Sequence, residues 1–196
     1  MKRFLYWWHN VFTYHYGRIA LCVLAIALIV IVLIQSSLNT PKFDMHIAVV
    51  LTAPVSYDAT ERLRTMAAEA CGDLNGDGDV TVELVTVDLS ADPSTTYQQL
   101  ELLLVQPEYV LFILEDNESL VHGRRGDFNL IENYGFIPDS GSPFRVEISG
   151  SPAIETFAPG RTLYACLADW TTSGKGKREW TRAAVDLLDR IIGEIQ

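Results

Sequence analysis

The chain predicts an α/β protein, with an N-terminal transmembrane helix followed by a single three-layer domain built on a mostly parallel sheet. Three observations carry that reading. Ile19 to Ile34 is an unbroken apolar run, IALCVLAIALIVIVLI. Strand-like and helix-like patterns then alternate from His46 to Leu114. The segment from Trp180 to Ile195 keeps its apolar residues at helical spacing.

The apolar run comes first. A bilayer core is about 30 Å thick and takes roughly 17–25 mostly apolar residues as a helix. Tyr16, Gly17 and Gln35 extend the run with little penalty, so residues 19–35 are expected to span a membrane. Lys2, Arg3 and Arg18 precede the run and no acid does. Basic residues stay cytoplasmic, so residues 1–18 form a cytoplasmic stub and the remainder lies extracytoplasmically, tethered to the cell membrane. Trp7, Trp8, Tyr14 and Tyr16 suit an interfacial belt, or equally a tail. A cleaved signal peptide is disfavoured by the long basic region and the lack of an A-x-A site. Residues 36–44 read as a polar linker broken by Pro41, and residues 45–196 as the α/β domain.

His46–Leu51 (HIAVVL) is continuously apolar, the pattern of a strand buried on both faces. Ala59–Cys71 follows as a helix with Leu63, Met66, Ala67 and Ala70 on one side. Val80–Leu89 alternates and is rich in Val and Thr, hence a second strand. Asp92-Pro93 has the form of a helix start, with Tyr97, Leu100, Leu103 and Leu104 expected against the sheet. Tyr109–Leu114 (YVLFIL) is a third buried strand. Such β-α-β-α-β alternation implies parallel strands joined by right-handed crossovers. Gly, Pro, Ser and Asn crowd residues 117–159, where Phe144–Ile148 reads as a short strand between two turns. Leu163–Leu167 is a further strand. The last helix carries an apolar stripe wider than a coiled-coil seam, which favours packing on the parent sheet.

The formal charge is −10, from 15 Lys and Arg against 25 Asp and Glu. Three of the bases lie before the apolar run, so the rest of the chain carries −13. Such a surface repels nucleic acid and favours cations or basic partners. Cys71 and Cys166 have no CxxC or Cys/His context, so zinc is not expected; both read as buried free thiols.

The strongest local signal is Asp73-Leu-Asn-Gly-Asp-Gly-Asp79. Oxygen donors fall at positions 1, 3, 5 and 7 of a loop, with Gly78 at position 6 and apolar Val80 at position 8. Ca²⁺ wants six to eight oxygens, and alternating side chains on a tight loop converge to supply them. The stretch resembles the calcium loop of EF-hands, and most closely that of dockerin modules. The resemblance implies Ca²⁺ held by Asp73, Asn75, Asp77 and Asp79. Position 12, where a bidentate carboxylate belongs, is Leu84, and Glu83 one residue earlier is the nearest replacement. The alternative is an acidic helix-to-strand turn.

In open α/β sheets, ligands bind beyond the carboxyl ends of the strands. Thr52, Asp88, Glu115, Asp116 and Asn117 fall there and could hold a cationic or hydroxylated solute. Glu115 and Asp116, if both on a strand, would point to opposite faces, a poor geometry for a paired-carboxylate enzyme. His46 and His122 lack metal-ligand spacing, and no serine sits in a G-x-S-x-G setting. No catalytic activity is expected. Arg125-Gly126-Asp127 spells an adhesive tripeptide by common residues, and Gly174-Lys-Gly-Lys177 is not a phosphate loop.

Taken with Asp73–Asp79 and Tyr109–Leu114, the apolar N-terminal run resembles a bacterial family of unassigned activity with one membrane helix and an external α/β domain. That domain is similar to one lobe of a periplasmic solute-binding protein. The resemblance implies a membrane-anchored, non-catalytic domain, solute-binding or accessory to a transporter. A calcium-stiffened structural or adhesive surface protein is the other expectation.

Overall fold

The computed structural model describes residues 2–11, 16–39, 42–168 and 175–194. They form two compact units, Met1–Pro41 and Lys42–Gln196.

The first unit holds helices α1 (Lys2–Val11) and α2 (Gly17–Asn39). On α1, Phe4 stacks beside Trp7 and Trp8, with ring centroids 6.2 and 6.3 Å apart. The expected transmembrane span is corrected: among the described residues, no helix is long and apolar enough to cross a membrane. The signal-anchor reading loses its basis with it.

In the second unit, β1 (Met45–Leu51), α3 (Tyr57–Cys71), β2 (Val82–Asp88), α4 (Pro93–Val105) and β3 (Tyr109–Glu115) follow in turn. Then come α5 (Asp116–Arg125), a 3-10 turn (Ile131–Tyr134), β4 (Val146–Glu147), α6 (Pro152–Glu155), β5 (Leu163–Leu167) and α7 (Lys175–Gly193). The strands order as β2-β1-β3-β5-β4 in one sheet. β1 pairs in parallel with β2 and β3, while β5 runs antiparallel to both β3 and β4. The sheet is therefore mixed and parallel at its core, with β5 alone running the other way. The cause lies in the connections. β4 runs in the same sense as β3, the usual result of a helical crossover, here through α5. The chain then returns from β4 antiparallel and fills the gap beside β3 as β5.

Side chains alternate across this sheet with the strand period of two. Ile47, Val49, Leu51, Leu111, Ile113, Leu163, Ala165 and Leu167 face a core closed by Leu63 and Ala67 of α3 and Ala184, Leu187 and Leu188 of α7. Ala48, Val50, Phe112, Leu114 and Cys166 face the other core, closed by Leu100, Leu103 and Leu104 of α4. Two-sided burial is why β1 and β3 read as unbroken apolar runs. Cys71 and Cys166 are free and buried. Ile195 and Tyr14 of the expected patterns lie outside the described residues.

Local starts and stops follow from side-chain chemistry. Ser56 caps α3 by accepting from Ala59 N at 3.2 Å. Asp92 caps α4 through Ser94 N, with Pro93 in the first turn where no N–H is missed. Helix α5 was not expected. Asp116 and Glu118 in its first turn and Arg124 and Arg125 in its last complement the helix dipole. Gly126, at φ 87°, ends it in the left-handed conformation that glycine adopts without penalty. The adhesive-looking tripeptide is thus a helix cap: Arg125 pairs with Glu101, and Asp127 binds His122.

Candidate functional site

The parallel part of the sheet builds the site. From β1 the chain goes to β2 on one side, then crosses over to β3 on the other. This reversal is a topological switch point, where adjacent loops leave in opposite directions and open a crevice. A cleft of about 580 Å³ lies there, lined by Thr52, Tyr97, Glu115, Asp116, Asn117, Glu118, Arg161 and Thr162. Thr52 follows β1, and Glu115 ends β3. Because β5 is antiparallel, Arg161 and Thr162 enter from the residues just before it.

Four of the five residues expected at the strand ends therefore meet. Glu115 and Asp116 do so because α5 starts at Asp116, immediately after the strand, so the alternation of a strand does not separate them. Asp88 is the exception: its Oδ1 accepts from Ser90 N and Ser90 Oγ at 2.9 and 2.6 Å, closing the turn after β2. Those same bonds hold its carboxyl below the usual range.

Glu115 accepts from Thr52 N at 3.2 Å and Thr52 Oγ1 at 2.8 Å, and pairs with Arg161 Nη1 at 2.5 Å. Desolvation pushes its carboxyl up, but Thr52 and Arg161 outweigh this and hold it below the ordinary value. Asp116 pairs with Arg145 Nη1 at 2.7 Å. Arg145 is buried, 3 % exposed, and binds Asp139 at 2.8 Å while lying 3.7 Å from the centroid of the Tyr164 ring. Burial alone would lower its pKa; the Asp139 and Asp116 hydrogen bonds reverse the direction.

Glu118 is the deepest carboxylate of the cleft. Its side chain is 7 % exposed although it lines the cleft. Oε1 accepts from Tyr97 OH at 3.0 Å and Asn117 Nδ2 at 3.2 Å. Oε2 lies 3.9 Å from His122 Nε2, and His122 Nδ1 is 2.9 Å from Asp127. Tyr97, expected against the sheet, instead turns to the cleft, and its bond to Glu118 raises the phenol pKa. Glu118, Tyr97, Arg161 and Thr162 were not foreseen. The acidic first turn and basic last turn of α5 were the signal for Glu118; nothing local marked Arg161.

The Asp73–Asp79 turn folds as successive side-chain-to-backbone loops. Asp73 accepts from Gly76 N and Gly78 N, Asn75 from Asp77 N, and Asp77 from Asp79 N, at 2.6–3.0 Å. Asp79 is exposed. Gly76 and Gly78, at φ 76° and 95°, need the left-handed region. Leu84, at position 12, packs into the core. Glu83 points away, accepting from Tyr109 OH at 2.8 Å beside His46 Nδ1 at 2.7 Å. Among the described residues, no group of three or more His, Cys, Asp and Glu is placed to hold a metal ion. The carboxylate that does enter the turn is Asp44, expected in the linker. It is fully buried and accepts from Leu74 N, Asn75 N and Thr81 N, each at 2.8 Å.

Compared with protein-family models, curated proteins and solved structures, the chain matches none.

Proposed function

We propose that this chain is a non-catalytic binding domain that holds a small polar solute in the cleft beyond β1 and β3. The observation that carries the reading is the convergence of Thr52, Glu115, Asp116 and Asn117 at the switch point of the parallel strands. Crevices at such points take ligands in open α/β sheets generally, and a few convergent polar groups give orientation. Glu115 and Asp116 are committed to Arg161 and Arg145, which suits a rigid wall better than acid–base chemistry.

The test is a thermal melt of the full chain against sugars, amino acids and polyamines. A true ligand at a hundred times its Kd adds about 2.7 kcal/mol. At least one solute is expected to raise the midpoint, with the rise lost in the Thr52→Ala/Asn117→Ala double variant, both positions being exposed. No rise with any solute, or a rise untouched by the double variant, overturns the reading.

The Asp73–Asp79 turn supports a second reading, a calcium-stiffened domain. Its favouring observation is the two-residue stepping of side-chain oxygens at Asp73, Asn75 and Asp77. At ten times Kd, calcium would add about 1.4 kcal/mol. A midpoint raised by calcium and restored by EGTA supports it; an unchanged midpoint removes it.

A further inference from the structure

The carboxylates of the cleft are not equivalent. Glu115 has Arg161 and Asp116 has Arg145, each at 2.5–2.7 Å. Glu118 has no such guanidinium among the described residues; the nearest basic side chain is His122, whose Nε2 stands 3.9 Å from Oε2. That is beyond hydrogen-bond distance. On its other side His122 faces Asp127, which also takes Arg125 Nε at 3.4 Å. Glu118 Oε1 is held by two neutral donors, Tyr97 and Asn117.

A buried carboxylate with no cation at hydrogen-bond distance is costly, and the cost is relieved by a desolvated positive partner. The cleft is the side from which one can arrive, because Glu118 lines it. Tyr97 lines it too and is 42 % exposed. A phenol ring beside a carboxylate attracts cations through its π face as well. The cleft's own guanidinium, Arg161, is already spent on Glu115 and Thr52, so nothing comparable invites an anion.

We propose that the solute carries a protonated amine or guanidinium, and that Glu118 is the group that receives it. This rests on the reading of the cleft as a solute site. The test compares putrescine with 1,4-butanediol, which swaps each ammonium for a hydroxyl at the same length, by calorimetric titration into the full chain. Putrescine is expected to bind at least about tenfold more tightly, and Glu118→Gln to remove that advantage. Equal affinities overturn the proposal, as does an advantage unaltered in Glu118→Gln. If Glu118→Gln does not fold, the matched pair on the unaltered protein decides. Failure here is separable from failure of the cleft itself: binding of butanediol or a sugar that depends on Thr52 and Asn117 leaves a solute site without cation selectivity. Absence of any binding overturns both.

Discussion

Replacing Asp44 tests how the polar turn is joined to the sheet. Its carboxylate, fully buried, accepts three backbone N–H bonds at 2.8 Å from Leu74, Asn75 and Thr81. Its own N–H donates to Thr81 O at 2.8 Å, extending the β1–β2 pairing. Asp44→Ala strands three donors, and each unsatisfied buried donor costs about 1–3 kcal/mol. The turn is exposed from Gly76 to Val80, so water can reach part of the gap and the lower bound applies, about 3 kcal/mol in total. For a domain of this size that lowers the melting point by roughly 6–12 °C. Asp44→Asn retains one acceptor oxygen and should lose about half as much. Urea denaturation followed by far-ultraviolet circular dichroism measures both. Burial first, and then the Asp44 charge, push the Cys71 thiol up to about 11; Asp44→Ala should lower that value. An Asp44→Ala midpoint within about 1 °C of the unaltered chain would mean that these three bonds do not hold the turn to the sheet.

Arg145→Ala should cost about 1.5–3 kcal/mol, the range for hydrogen bonds to charged groups, because it removes the cation shared by Asp139 and solvent-exposed Asp116; chemical denaturation reads this, and Arg145→Lys should not restore it, lacking the fork that reaches both. Asp139, through its bonds to Arg145, and Glu115 have depressed carboxyl pKa values in the folded chain. The unfolded chain therefore binds protons first: their stabilisation is complete above about pH 5 and is lost as pH falls through the lower folded values. Melts across the acid range should show that decline, and it should be shallower in Arg145→Ala. Gly126→Ala should cost about 1 kcal/mol, since φ 87° strains any side chain; an unchanged midpoint would contradict the cap.

The buried layer was legible because burial writes a period. Val49 and Val50 face opposite cores, so β1 appears as an unbroken apolar run, and the same holds for Tyr109–Leu114. The Asp92-Pro93 start announced α4. The direction of β5 was hidden, since LYACL is equally apolar in either sense and only its pairing with β3 and β4 decides. Helix α5 has little apolar periodicity; its marks are charges at its ends. The cleft was half legible. Strand ends can be counted along a chain, which placed Thr52, Glu115, Asp116 and Asn117. Arg161 reaches Thr52 across 109 positions of sequence, and no local pattern encodes such an approach. Asp44 was hidden in the same way, because a lone acid before a strand looks like linker until Leu74, Asn75 and Thr81 fold around it.

The most direct measurement is an amide chemical-shift map of the isotope-labelled full chain, titrated with whichever solute of the panel stabilises it most. The account expects saturable shifts at Thr52, Glu115, Asn117 and Thr162, with β2 and the Asp73–Asp79 turn unmoved. Shifts concentrated at that turn, or spread with no focus between β1 and β3, would contradict it.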